Sequence, residues 1–94
     1  MELTRGDLQQ RKYNYIWERD QGDSPYSGKL DRIKVDKDEG YEVLHFIQSI
    51  VDSHNISSKA TVHKIEDAMH SPELKSIDSR ERLTWKVELS LGLG

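Results

Sequence analysis

Hydrophobic residues recur at helical spacing between Gly40 and His70. At about 100° per residue, one broad arc of the first half carries Val43, Leu44, Phe46, Ile47, Ile50, Val51 and His54. From Lys59 to His70, one side carries Val62, Ile65, Ala68 and Met69. The pattern predicts two amphipathic helices joined by a tight turn at residues 55–58, arranged as an αα-hairpin or a helix-turn-helix.

Residues at the ends of these two segments are typical helix caps. Asp36 and Glu39 precede the first helix at the spacing of a capping box. Ser57 or Ser58 can cap the second helix, and the pair at residues 71–72, Ser-Pro, ends it because proline has no backbone donor and restricts the residue before it. The apolar arc of each helix is too wide to be covered by the other helix alone. The sequence therefore predicts a further element that covers both arcs.

Three other segments alternate between apolar and polar residues, as half-buried strands do. Tyr13, Tyr15 and Trp17 form the first, and turn-forming residues at 20–28 predict a hairpin loop to a weaker strand over Lys29–Val35. The last has Leu83, Trp85, Val87, Leu89, Leu91 and Leu93 on one side. The predicted fold is therefore α+β in the order β-β-α-α-β, with an antiparallel sheet of about three strands packed on the αα-hairpin.

The C-terminal segment also has a helical interpretation. Asp78 and Glu81 stand at capping-box spacing, which favours a helix start. A helix there would bury Leu83, Val87 and Leu91 and leave Trp85 and Leu89 nearly opposite. Strict alternation favours the strand, and the helix stays open as the alternative.

Length and composition indicate one small domain. The chain has 94 residues, 34% hydrophobic and 33% charged, with a net charge of −3. We expect a polar, flexible N-terminal segment at residues 1–12 and a single α+β domain at residues 13–94. The absence of cysteine excludes disulfides, thiol catalysis and thiolate metal sites, and suits a reducing compartment. With no signal-like or membrane-length apolar run, the sequence predicts a soluble cytoplasmic protein.

Catalytic and calcium-binding patterns are incomplete. His45, Ser49 and Asp52 share the polar arc of the first helix, but a catalytic triad draws its members from separate elements. Residues 36–40, Asp-Lys-Asp-Glu-Gly, begin like a calcium loop and then depart from it, because position six is Tyr41 and position twelve is Ile47. We therefore expect no catalytic residues and no cofactor, and predict that the protein is not an enzyme.

The histidines also lack the spacing of a metal site. No two are four residues apart, the spacing at which one helix presents both rings to one ion: His45, His54, His63 and His70. We expect Glu66 to pair with the histidines at 63 and 70, and His54 to bind a carbonyl at its helix C-terminus. The sequence predicts no metal site.

A small chain without catalytic residues, but with clustered aromatics, most resembles a module that binds another protein. Tyr13, Tyr15 and Trp17 are the candidate contact surface, because such rings bury much area at low entropic cost. Their alternative role is sheet core. We also expect a homodimer through an exposed strand edge. The alternative function is a winged-helix-like DNA-binding regulator, whose contacts would be Lys59, His63, Lys64, Arg80 and Arg82.

Overall fold

Three helices build this fold in a computed structural model, which describes residues 2–17, 35 and 37–93. They are α1 (Gly40–His54), α2 (Lys59–Met69) and α3 (Arg80–Leu91), preceded by a 3-10 turn at Arg5–Asp7. No strand occurs in the described residues; an isolated bridge pairs Ile16 with Glu39. The α+β prediction with its three-stranded sheet is therefore wrong, and the described chain is mostly helical.

The first two helices confirm the predicted helical pair and its turn. The Glu39 side chain caps α1 by accepting the backbone N–H groups of Tyr41 and Glu42, and Asn55 ends α1 in the left-handed conformation, with φ of 51°. Ser58 caps α2 by accepting the N–H of Thr61. The predicted capping partner at position 36 lies outside the described residues.

The C-terminal segment is a helix instead of the predicted strand. Leu83 and Val87 are fully buried, whereas Trp85 and Leu89 are 56% and 54% exposed. Because residues four apart share one face of a helix, α3 buries one pair and presents the other. The helix begins after Ser79 rather than Asp78, and its C-cap is Gly92, whose φ of 69° suits glycine.

Of the two predicted N-terminal strands, the first is described by the structure and the second lies largely outside the described residues. Residues 13–17 are not a strand, since pairing is confined to Ile16, which donates its N–H to the Asp38 carbonyl at 2.7 Å and accepts the Gly40 N–H at 2.8 Å. The predicted hairpin loop and most of the strand over Lys29–Val35 lie outside the described residues. Val35 is described; it is buried, and its N–H binds the Asp78 carbonyl at 2.8 Å.

Helix α3 and the N-terminal residues together cover the apolar arcs of α1 and α2. We call residues 2–17 the strap. Leu3 and Leu8 of the strap are buried in the same core as Phe46, Ile65 and Leu83, and the flexibility of residues 1–12 stays a prediction. The covering element is thus a helix and a strap. Within the described ranges, no helix has the length and hydrophobicity to cross a membrane.

The contrast between the two faces of α3 is testable by truncation. We expect Leu83→Ala to lower the free energy of unfolding by about 2–5 kcal/mol, because it opens a cavity in the core. Leu89→Ala should lower it by less than about 0.5 kcal/mol, since that side chain is more than half exposed. Urea titration measures both. A larger loss of unfolding free energy for Leu89→Ala would contradict the helical assignment of this segment.

Candidate functional site

Glu66 anchors the strap to α2. Its side chain is fully buried, although the helical pattern places it on the polar side. The Gln9 backbone N–H lies 2.9 Å and 3.1 Å from the two carboxylate oxygens. The Tyr15 hydroxyl donates to the same group at 2.5 Å and lies 2.9 Å from Nε2 of His70. Burial, together with the hydrogen bond to Glu66, raises the pKa of Tyr15, so the phenol stays protonated and donating.

Asp67 makes a second set of contacts with the strap at the rim of this cluster. It accepts hydrogen bonds from Nε2 of Gln9 at 2.9 Å, from Nζ of Lys12 at 2.9 Å and from the Tyr13 hydroxyl at 2.8 Å. Burial acts to raise the pKa of Asp67, but these three donors outweigh it and lower the pKa. The carboxylate is therefore held charged against the strap.

The three aromatic residues proposed from the sequence lie together, and their rings contact this same chain. Tyr13 stacks on His70 with ring centres 4.1 Å apart. Tyr15 meets Trp17 edge-on at 6.4 Å, and Trp17 meets Tyr41 of α1 edge-on at 5.0 Å. All three rings are partly buried. The cluster therefore fastens the strap, and its use as a contact surface stays a prediction.

Gly40 allows Trp17 to reach α1. A Cβ atom at position 40 would lie 2.5 Å from the indole ring, closer than any side chain can approach. The guanidinium of Arg5 lies 4.7 Å from the centre of the same ring and donates to the Tyr41 hydroxyl. One feature of the sequence could have indicated this packing. Gly40 follows a capping residue, Glu39, so capping does not account for a glycine at the start of α1.

The polar side of α1 places two of the three triad-like residues at a depression. Its volume is about 500 Å³, and its lining is Glu2, Leu3, Leu44, His45, Gln48 and Asp52. Ser49 does not line it, because its hydroxyl donates to the Phe46 carbonyl of its own helix at 2.7 Å. Burial and then the charge of Arg80 lower the pKa of His45. This arrangement lacks a nucleophile within reach of a base, and the non-enzymatic role stays a prediction.

Two of the histidines bind groups other than those that the sequence predicts. Nε2 of His63 lies 3.1 Å from the Asp7 carbonyl of the strap, instead of at Glu66. Nε2 of His54 lies 2.5 Å from the Glu88 carboxylate, so it joins α1 to α3 instead of binding a helix-end carbonyl. In the part of the chain that the structure describes, no three acidic or histidine side chains are grouped to hold a metal ion.

Helix α3 presents an apolar ridge that the sequence assigned to a sheet core. Trp85 and Leu89 lie one turn apart on its outward side, and we call this pair the outer ridge. Among the described residues, Ile16 is the other large hydrophobic side chain with comparable exposure. Nζ of Lys86 lies 5.0 Å from the centre of the Trp85 ring. A rigid helix thus presents a tryptophan and a leucine to solvent.

The residues proposed for DNA contact do not form one surface on α2. Lys59 and Lys64 are exposed on that helix, but the ring of His63 is held by the strap. The strap covers this side of α2 through Glu66 and Asp67. The other two candidates, Arg80 and Arg82, lie in the first turn of α3. DNA binding stays a prediction, with α2 poorly placed to enter a groove.

Removing the Glu66 charge should loosen the strap. Glu66→Gln keeps the shape but offers one acceptor oxygen where two donors converge, so we expect a loss of about 1–3 kcal/mol in unfolding free energy. Hydrogen exchange at the Gln9 amide should accelerate by more than the global change. Glu73→Gln, at an exposed position, is the control. Unchanged protection at Gln9 would refute the anchoring role.

The partly buried imidazole of His70 predicts a pH dependence of stability. Burial lowers the pKa of His70 below 6.5, and the opposing charge of Glu66 does not restore it. The unfolded chain then binds more protons than the folded one between the folded pKa and 6.5, so stability falls as pH drops through that window. In His70→Gln, the urea midpoint should change less with pH between about pH 7 and 5 than it does in the parent. Lys64→Gln should keep the parent slope, and an equal slope in His70→Gln would contradict the assignment.

Comparison of the chain with models of protein families, with curated proteins and with solved structures finds no match. The contacts and exposed faces described above are therefore the basis for a function.

Proposed function

We propose that this protein is a small, non-enzymatic binding module whose contact surface is the outer ridge of α3. The observation that carries the proposal is the exposure of Trp85 and Leu89, 56% and 54%, one turn apart on one helix. Tryptophan is enriched among the residues that dominate protein interfaces, because it buries a large area at small entropic cost. An exposed pair of this kind serves binding better than it serves stability.

The ridge is held rigid from behind. Leu83 and Val87, on the opposite side of α3, are fully buried in the core. Glu88 binds His54 at 2.5 Å and so ties the helix to α1. A preorganised contact helix loses little freedom on binding, which favours affinity.

The partner that this surface fits is a protein with an apolar surface and acidic residues beside it. A helix with apolar anchors at i and i+4 contacts its partner through that one face. Lys86 lies on one side of the outer ridge, so carboxylates there would complement it. We place this interaction in the cytoplasm, because a chain without cysteine suits a reducing compartment.

The proposal favours the outer ridge over the aromatic strap for a physical reason. The hydroxyls of Tyr13 and Tyr15 already donate to Asp67 and Glu66. A partner that engaged these rings would have to break contacts that hold the strap in place. Binding through Trp85 breaks no hydrogen bond between described residues, and its ring contacts the side chain of Lys86.

Substitution of the tryptophan tests this function. Proteins cross-linked to the wild-type chain in lysate are identified, purified and titrated against it. We expect Trp85→Ala to weaken binding of a true partner by more than about tenfold, as for a central aromatic anchor. Thermal unfolding should be nearly unchanged, because the side chain is more than half exposed. Ser90→Ala, exposed on the same helix, is the matched control. A partner that binds Trp85→Ala as tightly as the parent would refute the proposal.

A further inference from the structure

The charges beside the outer ridge are sorted by sign. At about 100° per residue, Glu81 and Glu88 fall on one side of Trp85 and Leu89, and Lys86 falls on the other. In coiled-coil terms the ridge occupies the d and a positions, the two glutamates occupy g, and the lysine occupies e. Such a pattern carries information about which helix can lie against the ridge.

The sign pattern distinguishes the two ways in which identical helices can pair. In a parallel pair, each g residue meets the e residue of the next heptad on the other helix, so Glu81 faces Lys86 of the second copy, twice in a symmetric dimer. In an antiparallel pair, g meets g and e meets e, which places glutamate near glutamate and lysine near lysine. Opposite charges meet only in the parallel arrangement.

We propose that the outer ridge of α3 binds the same ridge of a second copy of this chain, with the two helices parallel about a twofold axis. The inference rests on the proposed function, since it names one occupant of the same surface. The twofold axis brings Trp85 against Trp85 and Leu89 against Leu89, and it adds two Glu81–Lys86 ion pairs at the rim. Two-fold dimers are the commonest soluble homo-oligomers, so the arrangement is a familiar one.

Within the part of the chain that the structure describes, Glu81 and Arg82 form no side-chain ion pair, and Nζ of Lys86 lies over the indole ring of Trp85. Arg82 falls at an a position in the first turn of α3, so the parallel pair places it near Arg82 of the second copy. A polar residue at an a position costs stability but favours one register. The interface spans one short helix, so the dimer is weak and dissociates on dilution.

Charge reversal tests the pairing. Sedimentation velocity over about a hundredfold range of concentration should show the wild type moving from monomer toward dimer by mass action. Glu81→Lys alone and Lys86→Glu alone should each weaken dimerisation by about three- to tenfold, since each places like charges opposite one another. The double variant should recover most of the wild-type affinity. Leu89→Asp, which buries a charge at the contact, should be monomeric throughout.

Engineered cysteines test the orientation, because the chain has none of its own. In the parallel dimer the two copies of position 89 meet at the axis, so Leu89→Cys should oxidise to a disulfide-linked dimer. Ser90→Cys, exposed one residue further along, should stay largely monomeric under the same conditions.

The results separate this inference from the proposed function. A wild-type chain that stays monomeric at every concentration overturns self-pairing and leaves binding of another protein through Trp85 intact. Dimerisation that the double charge reversal fails to restore, or a disulfide that forms at position 90 and not at 89, overturns the parallel arrangement. Dimerisation that survives Leu89→Asp places the dimer contact elsewhere.

Discussion

The structure depends on satisfying one buried carboxylate. Glu66 lies in the second half of α2 without exposure to water, and a buried carboxyl group must be compensated by hydrogen-bond donors. Two of its donors, the Gln9 amide and the Tyr15 hydroxyl, belong to the strap. The requirement of one side chain on α2 therefore fixes the path of a segment more than fifty positions earlier in the sequence. Leu3 and Leu8 reach the core as a result.

The helices α1 and α2 could be predicted because several local signals agreed. The apolar arc, the capping residues and the proline all pointed to the same ends, and Glu39 and Ser58 took the capping roles. Helix α3 could not, because its apolar residues satisfy both periods. Leu83 and Val87 are four residues apart, as on one face of a helix. Together with Trp85 and Leu89 they also alternate with polar residues, as in a strand. Alternation identifies a buried strand only if the alternating apolar residues are buried together, and here Trp85 and Leu89 face solvent.

For the candidate sites too, the local sequence pattern could be used only in part. The sequence brought Tyr13, Tyr15 and Trp17 together correctly as a group, since alternation along an extended segment places them on one side. It could not assign their partners, because the buried role of Glu66 depends on donors that arrive from a distant part of the chain. On an isolated helix a glutamate belongs on the polar side. Tertiary hydrogen bonds reverse that assignment.

The close approach of Trp17 to Gly40 couples the residues that these two positions can accept. Since the indole ring occupies the space of a side chain at position 40, the helix start can gain a side chain only if the ring becomes smaller or leaves. In diverged relatives that keep this fold, the pair should change in concert. A glycine at the start of the first helix, matched to an indole some twenty residues before it, is thus a trace by which distant members of the same lineage can be recognised.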